Sequence, residues 1–153
     1  MSIFSIFKAK AFFTNVEKEE IVNAIRKAEM QTSGEIRVYV ESKNPYVSTM
    51  ERAKEVFYDL KMDKTENRNA VLIYLATKHK EIAVFGDEGI YTKCGKQYWY
   101  DVMHIMISTF AKNEIVEGLK VCVHSIGEAL KEKFPYLDKC DKNELPDEIV
   151  FGK

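Results

Sequence analysis

Hydrophobic positions along the chain switch between two periods, and the switches mark its elements. Ile21, Ala24, Ile25 and Ala28 recur three and four residues apart, which lines one face of a helix. Thr14 and Glu17 precede them as a capping box, two side chains that satisfy free N–H groups at a helix start. This pattern predicts a helix that stops before Ser33-Gly34, where glycine suits an ending. From Glu35 to Glu41 the period becomes two, with Ile36, Val38 and Val40 on one face and Arg37 and Tyr39 on the other. That alternation predicts a strand, broken at Asn44-Pro45. Ser48 with Glu51 repeats the capping pattern and opens a second helix, with Met50, Ala53, Phe57 and Leu60 on its apolar face.

After a polar loop from Asp63 to Arg68, Ala70 to Ala76 is a continuous apolar run, as expected of a strand covered on both faces. Only Thr77 to Lys80 separate it from the apolar segment Glu81 to Phe85, so these two strands form an antiparallel hairpin. Gly86-Asp87-Glu88-Gly89 reads as a turn by composition. A third helix is predicted from about Gln97 to Phe110, with Trp99, Val102, Met103, Met106 and Phe110 near one face. Asn113 is placed to cap a fourth, which carries Val116, Leu119, Val123, Ile126 and Leu130 inward and ends at Phe134-Pro135. Residues 1–11 read as an N-terminal extension, and residues 136–153 as a polar arm laid over the body. Strand, helix, strand within one sheet implies a parallel pair with a right-handed crossover. The expectation is one α/β domain over residues 1–153, its mixed central sheet holding a parallel pair plus an antiparallel hairpin.

Composition narrows the function. A net charge of −1, from 23 basic and 24 acidic residues, gives no general attraction for nucleic acid or anionic lipid. Cys94, Cys122 and Cys140 are widely spaced, as are His79, His104 and His124, so neither a disulfide framework nor a zinc site is suggested. The apolar start is short, and Lys8 and Lys10 follow it instead of preceding it, a poor secretory leader. With no run of 18 apolar residues, no membrane span is expected and a cytoplasmic location is the default. No GxSxG, P-loop or dinucleotide-binding glycine pattern occurs. The aromatic group Tyr91, Tyr98, Trp99 and Tyr100 is suited to core and rim packing, or to facing a ligand.

The topology gathers chemistry at one place. The starts of the two parallel strands share one end of the sheet, and the hairpin's return strand finishes there, with Ala70 opposite Asp87. Glu35, Arg68, Asn69, Asp87 and Glu88 therefore converge on one edge. Oxygen-rich groups on loops suit a hard divalent cation, calcium or magnesium. Asp101, early in the third helix, is placed to add a ligand from above. The plainer alternative is that Glu35 pairs with Arg37 or Arg68, and Asp87 only makes a turn.

The same residues carry a family likeness. Thr32-Ser-Gly34-Glu35-Ile36 resembles the opening strand of TPM domains, and Arg68-Asn-Ala-Val-Leu-Ile-Tyr-Leu75 resembles their central strand. Phe85-Gly-Asp87-Glu-Gly89-Ile90 is similar to the glycine-bearing turn that follows. Phe110, Gly118 and the ending Asn143 to Ile149 resemble a bacterial cytosolic branch without membrane anchor. The likeness runs from about Phe12 to Gly152. It implies a three-layer α/β/α sandwich with helices on both faces, and a family in which some members are described as acid phosphatases or calcium binders and others act through protein contacts. The sequence departs at Ala70, where members favour glycine, and a methyl group there is expected to crowd the edge opposite Asp87.

Two functions follow as expectations. The first is a divalent-cation-binding accessory domain acting through contacts with an unidentified protein partner. The alternative is a metal-dependent acid phosphatase hydrolysing phosphate monoesters, with Arg68 holding a phosphate oxygen. Against the alternative stands the absence from these motifs of any nucleophile or base beyond carboxylates.

Overall fold

The computed structural model describes residues 9–46, 48–136 and 149–152. In chain order these form α1 (Asn15–Glu29), β1 (Glu35–Glu41), α2 (Thr49–Asp59), β2 (Ala70–Ala76), β3 (Glu81–Gly86), α3 (Glu88–Cys94), α4 (Lys96–Ala111), α5 (Ile115–Lys133) and β4 (Ile149–Phe151). Both capping residues act as the sequence predicts. Thr14 Oγ1 accepts from the Glu17 N–H at 3.1 Å, while Glu17 Oε1 accepts from the Thr14 N–H at 2.9 Å. Ser48 Oγ accepts from the Glu51 N–H at 3.2 Å and starts α2.

The sheet has the order β3-β2-β1-β4. β1 and β2 are parallel with Glu35 beside Ala70, and β2 and β3 are antiparallel with Ala76 opposite Glu81. The register continues one step past β3, where the Asp87 N–H donates to the Ala70 carbonyl at 2.9 Å. Alternation along the strands sorts their side chains into two cores. Ile36, Val38, Val40, Val71, Ile73, Leu75, Ile82 and Val84 belong to one, with α1, α4 and α5 above them. Tyr39, Ala70, Leu72, Tyr74, Ala76 and Ala83 belong to the other, covered by Ala53, Val56 and Phe57 of α2. Helices thus lie on both faces of a mixed sheet, the three-layer α/β sandwich expected.

Both termini are described in part, and three local readings change. The C-terminal arm supplies β4, which pairs parallel with β1 from Val38 beside Ile149 to Val40 beside Phe151, while residues 137–148 of that arm lie outside the described residues. Of the N-terminal extension, residues 1–8 lie outside them as well, and Ala9 is fully buried. Gly34 does not end α1, which closes at Met30 in right-handed geometry. A Cβ on Gly34 would stand 2.6 Å from Leu130 Cδ2, so glycine serves the close approach of α5. Nor does Asn113 cap α5: it sits at φ 58°, a left-handed turn that asparagine tolerates, and its Oδ1 accepts from Lys80 Nζ at 2.9 Å. Gly86-Asp87-Glu88-Gly89 is not a plain turn: Gly86 closes β3, Asp87 caps α3, and Glu88 and Gly89 begin it.

Candidate functional site

Asp87 leaves β3 in extended geometry and caps α3, its Oδ1 accepting from the Glu88 N–H at 2.8 Å. The same carboxylate is gripped by Arg68, which approaches from the loop before β2. Nε donates to Oδ2 at 2.7 Å and one terminal nitrogen to Oδ1 at 2.8 Å, the parallel fork that suits guanidinium to carboxylate. The other terminal nitrogen reaches Glu88 Oε1 at 3.2 Å. The hydrogen bonds to Asp87 are the main reason the Arg68 guanidinium is held above its ordinary pKa. Arg68 adopts φ 50°, a left-handed conformation that costs a side-chain-bearing residue about 1–2 kcal/mol. The loop can hold it because Gly89 has no side chain. The Gly89 N–H donates to the Arg68 carbonyl at 2.9 Å, and a Cβ there would stand 2.2 Å from the Asn67 carbonyl oxygen.

The other predicted residues divide. Glu35 and Asn69 are buried at the same edge, where the Glu35 N–H donates to the Asn69 carbonyl at 3.4 Å. Asn69 Nδ2 donates to Ser33 Oγ at 3.3 Å, but Oδ1 is buried with no hydrogen-bond partner among the described residues. By register Glu35 and Asp87 flank Ala70 on opposite sides, two strand spacings or about 10 Å apart along the backbone. The Ala70 methyl is accommodated in the α2-side core, and Asp87 keeps its bond to β2. Asp101 is exposed on α4 and accepts from Gln97 Nε2 at 2.9 Å. Among the described residues no group of three or more His, Cys, Asp or Glu side chains stands together as a metal site.

From the Arg68–Asp87 pair a cleft of about 500 Å³ runs between α2 and the α3–α4 pair, over the end of β3. Met50, Lys54 and Tyr58 form one wall, and Tyr91, Lys96, Trp99, Tyr100 and Met103 the other. The Trp99 ring stacks on Tyr91 at 6.0 Å between centroids, and its Nε1–H donates to the Tyr91 carbonyl at 3.2 Å. Lys54 Nζ stands 5.8 Å from the centre of the Phe85 ring on the floor. Three tyrosines at the rim remain open, Tyr58 at 50%, Tyr91 at 39% and Tyr100 at 64% exposure.

The TPM domain profile matches residues 6–129. The chain belongs to the TPM domain family. As a TPM domain it is similar to the BA42 protein from the psychrophilic bacterium Bizionia argentinensis, solved by NMR. The identity is 36% with a TM-score of 0.81, over 92% of this chain and 96% of that one. No curated protein sequence matches it. Among the described residues of this TPM domain, no helix is long and apolar enough to cross a membrane.

The domain also holds a second arginine–carboxylate fork, which the sequence reading missed. At the far end of β1, Arg52 of α2 donates through Nε to Glu41 Oε2 at 2.8 Å and through a terminal nitrogen to Oε1 at 2.9 Å. The Tyr74 hydroxyl donates to the same carboxylate, and the remaining Arg52 nitrogen to Glu55, which also accepts from Tyr46. Burial first, and then the bond to Glu41, holds the Tyr74 hydroxyl well above its ordinary pKa. A charge on the last residue of an apolar strand, followed eleven residues later by an arginine on the covering helix, was the available signal.

Proposed function

We propose that this TPM domain works by binding: it presents the cleft between α2 and the α3–α4 pair to a protein partner. In this reading the adjoining edge of Glu35, Asn69, Asp87 and Glu88 takes a divalent cation, calcium or magnesium. The carrying observation is the three exposed tyrosines around one cleft, because tyrosine at an open rim is the composition of a recognition surface. The unpartnered Asn69 Oδ1 supports the cation, being a neutral oxygen of the kind a hard ion accepts. Asp87 joins only as Arg68 releases it, so the cation is expected to bind weakly. The test is an amide NMR titration with calcium and magnesium. Signals at Glu35, Asn69, Asp87 and Glu88 shift at millimolar ion; no movement there removes the cation from the reading.

A metal-dependent phosphatase is the second reading, favoured by Lys54, Arg68 and Lys96 lining one cleft with Asp87. Arg68 is committed to Asp87, and catalysis by a metal-bound water needs an ion held with an open position. Hydrolysis of a generic phosphate ester is therefore expected to be weak or undetectable with calcium, magnesium or manganese. Robust turnover abolished by Asp87→Ala reverses the ranking.

A further inference from the structure

Lys54, Arg68, Asp87, Glu88 and Lys96 are the charged residues that line the cleft. Arg68, Asp87 and Glu88 satisfy one another at its end. Lys54 and Lys96 project from opposite walls, both exposed, and neither forms an ion pair with a described residue. Between them lies the Phe85 floor, with Met50 and Met103 adding apolar surface from the two walls. Methionine side chains adapt to differently shaped partners, and exposed tyrosines add contact area at little entropic cost.

We propose that the occupant of this cleft is an acidic linear peptide segment of a partner protein. An apolar side chain seats on Phe85 between Met50 and Met103, and flanking carboxylates lie against Lys54 and Lys96. This rests on the docking reading above and specifies the partner's chemistry. Two cations without an ion-pair partner among the described residues, Lys54 also standing over the Phe85 ring, complement an apolar anchor between acids. They repel a basic segment, and like-charge contact is an effective means of excluding wrong partners. The Arg68–Asp87 fork closes the end of the cleft, its opposite charges paired with each other.

The chain supplies its own reporter, since Trp99 is its single tryptophan and lines the cleft. A phage-displayed dodecamer library is selected against the full chain, and the enriched peptides are synthesised and titrated while Trp99 fluorescence is read. We expect acid-rich sequences with one or two large apolar residues, a saturable fluorescence change, and binding that weakens as salt rises. The Lys54→Glu/Lys96→Glu double variant binds them at least tenfold more weakly. Lys54→Gln/Lys96→Gln is the milder pair should charge reversal disturb folding. Neutral or basic peptides that compete at the cleft, and bind wild type and variants equally, overturn the acidic partner but leave the docking reading standing. If no peptide perturbs Trp99, both fall. Phenyl phosphate that binds the cleft when peptides do not overturns the proposal in favour of a small anion.

Discussion

Two arginine forks hold this sheet, one at each end, and they differ in depth more than in chemistry. Arg52 grips Glu41 with two bonds of 2.8 and 2.9 Å, and Arg68 grips Asp87 with two of 2.7 and 2.8 Å. Yet the Arg52 side chain is 12% exposed where that of Arg68 is 35%. Glu41 is also enclosed by Tyr74, while Arg68 shares its remaining nitrogen with the exposed Glu88. A deep pair is dangerous to break by halves, because the surviving charge is stranded in a poor solvent. A half-open pair leaves its survivor in contact with water, and can exchange partners. The first fork therefore belongs to stability, and the second is free to belong to function.

The largest effect expected from this contrast is at Glu41. Glu41→Ala leaves Arg52 with Glu55 alone and the Tyr74 hydroxyl without its acceptor, and costs about 3–5 kcal/mol in urea unfolding, whereas Asp87→Ala costs roughly 1–2 kcal/mol, chiefly the lost cap on α3. Equal costs would break the comparison. A smaller change sharpens the open end alone. Gly89→Ala drives a methyl into the Asn67 and Arg68 carbonyls, with an expected cost of about 1–3 kcal/mol. Amide shifts should concentrate around Arg68 and Asp87 and leave Glu41 and Arg52 unmoved; a change spread over both forks contradicts their independence.

The smallest effect is alkaline. The Tyr74 pKa is raised in the folded state, so the folded chain keeps a proton that the unfolded chain begins to lose near pH ~10. Its contribution is intact below that pH and lost as pH climbs towards the raised value, at up to about 1.4 kcal/mol per pH unit. Tyr74→Phe should flatten the fall in stability above pH ~10 relative to wild type. An unchanged slope would mean that Tyr74 is not sealed by the deeper fork.

The hairpin was legible because four residues between two apolar runs leave the chain no other route, and its register then carried Asp87 to Ala70. The parallel pair followed from a connection of helical length. What escaped was whatever depends on partners remote in sequence. β4 is three residues long and gains its identity only beside β1. α3 has seven residues, too few to show a period, and Gly89 within it read as a turn because its close approach to the 67–68 carbonyls is invisible in one dimension. Glu35, Asn69, Asp87 and Glu88 lie at one end of the sheet because strand direction fixes that. Which carboxylate Arg68 would choose depended on a left-handed backbone that no periodicity encodes. Asp101 was assigned to the edge from its place early in a helix, and the rotation of that helix sends it to solvent beside Gln97.

Met103 packs against both cores, although they lie on opposite faces of the sheet. It therefore crosses the outer margin of β3, a strand whose Ile82, Ala83 and Val84 are at most 4% exposed. The opposite margin is β4, only three residues long. An open strand margin is a template on which another chain can add, and long apolar runs such as Ala70–Ala76 make such growth dangerous. Among the described residues, Met103 borders one margin, and β4 pairs with only Val38, Tyr39 and Val40 of β1 at the other. A single flexible thioether therefore stands where strand addition would begin, and trimming it to alanine is expected to raise the tendency to aggregate.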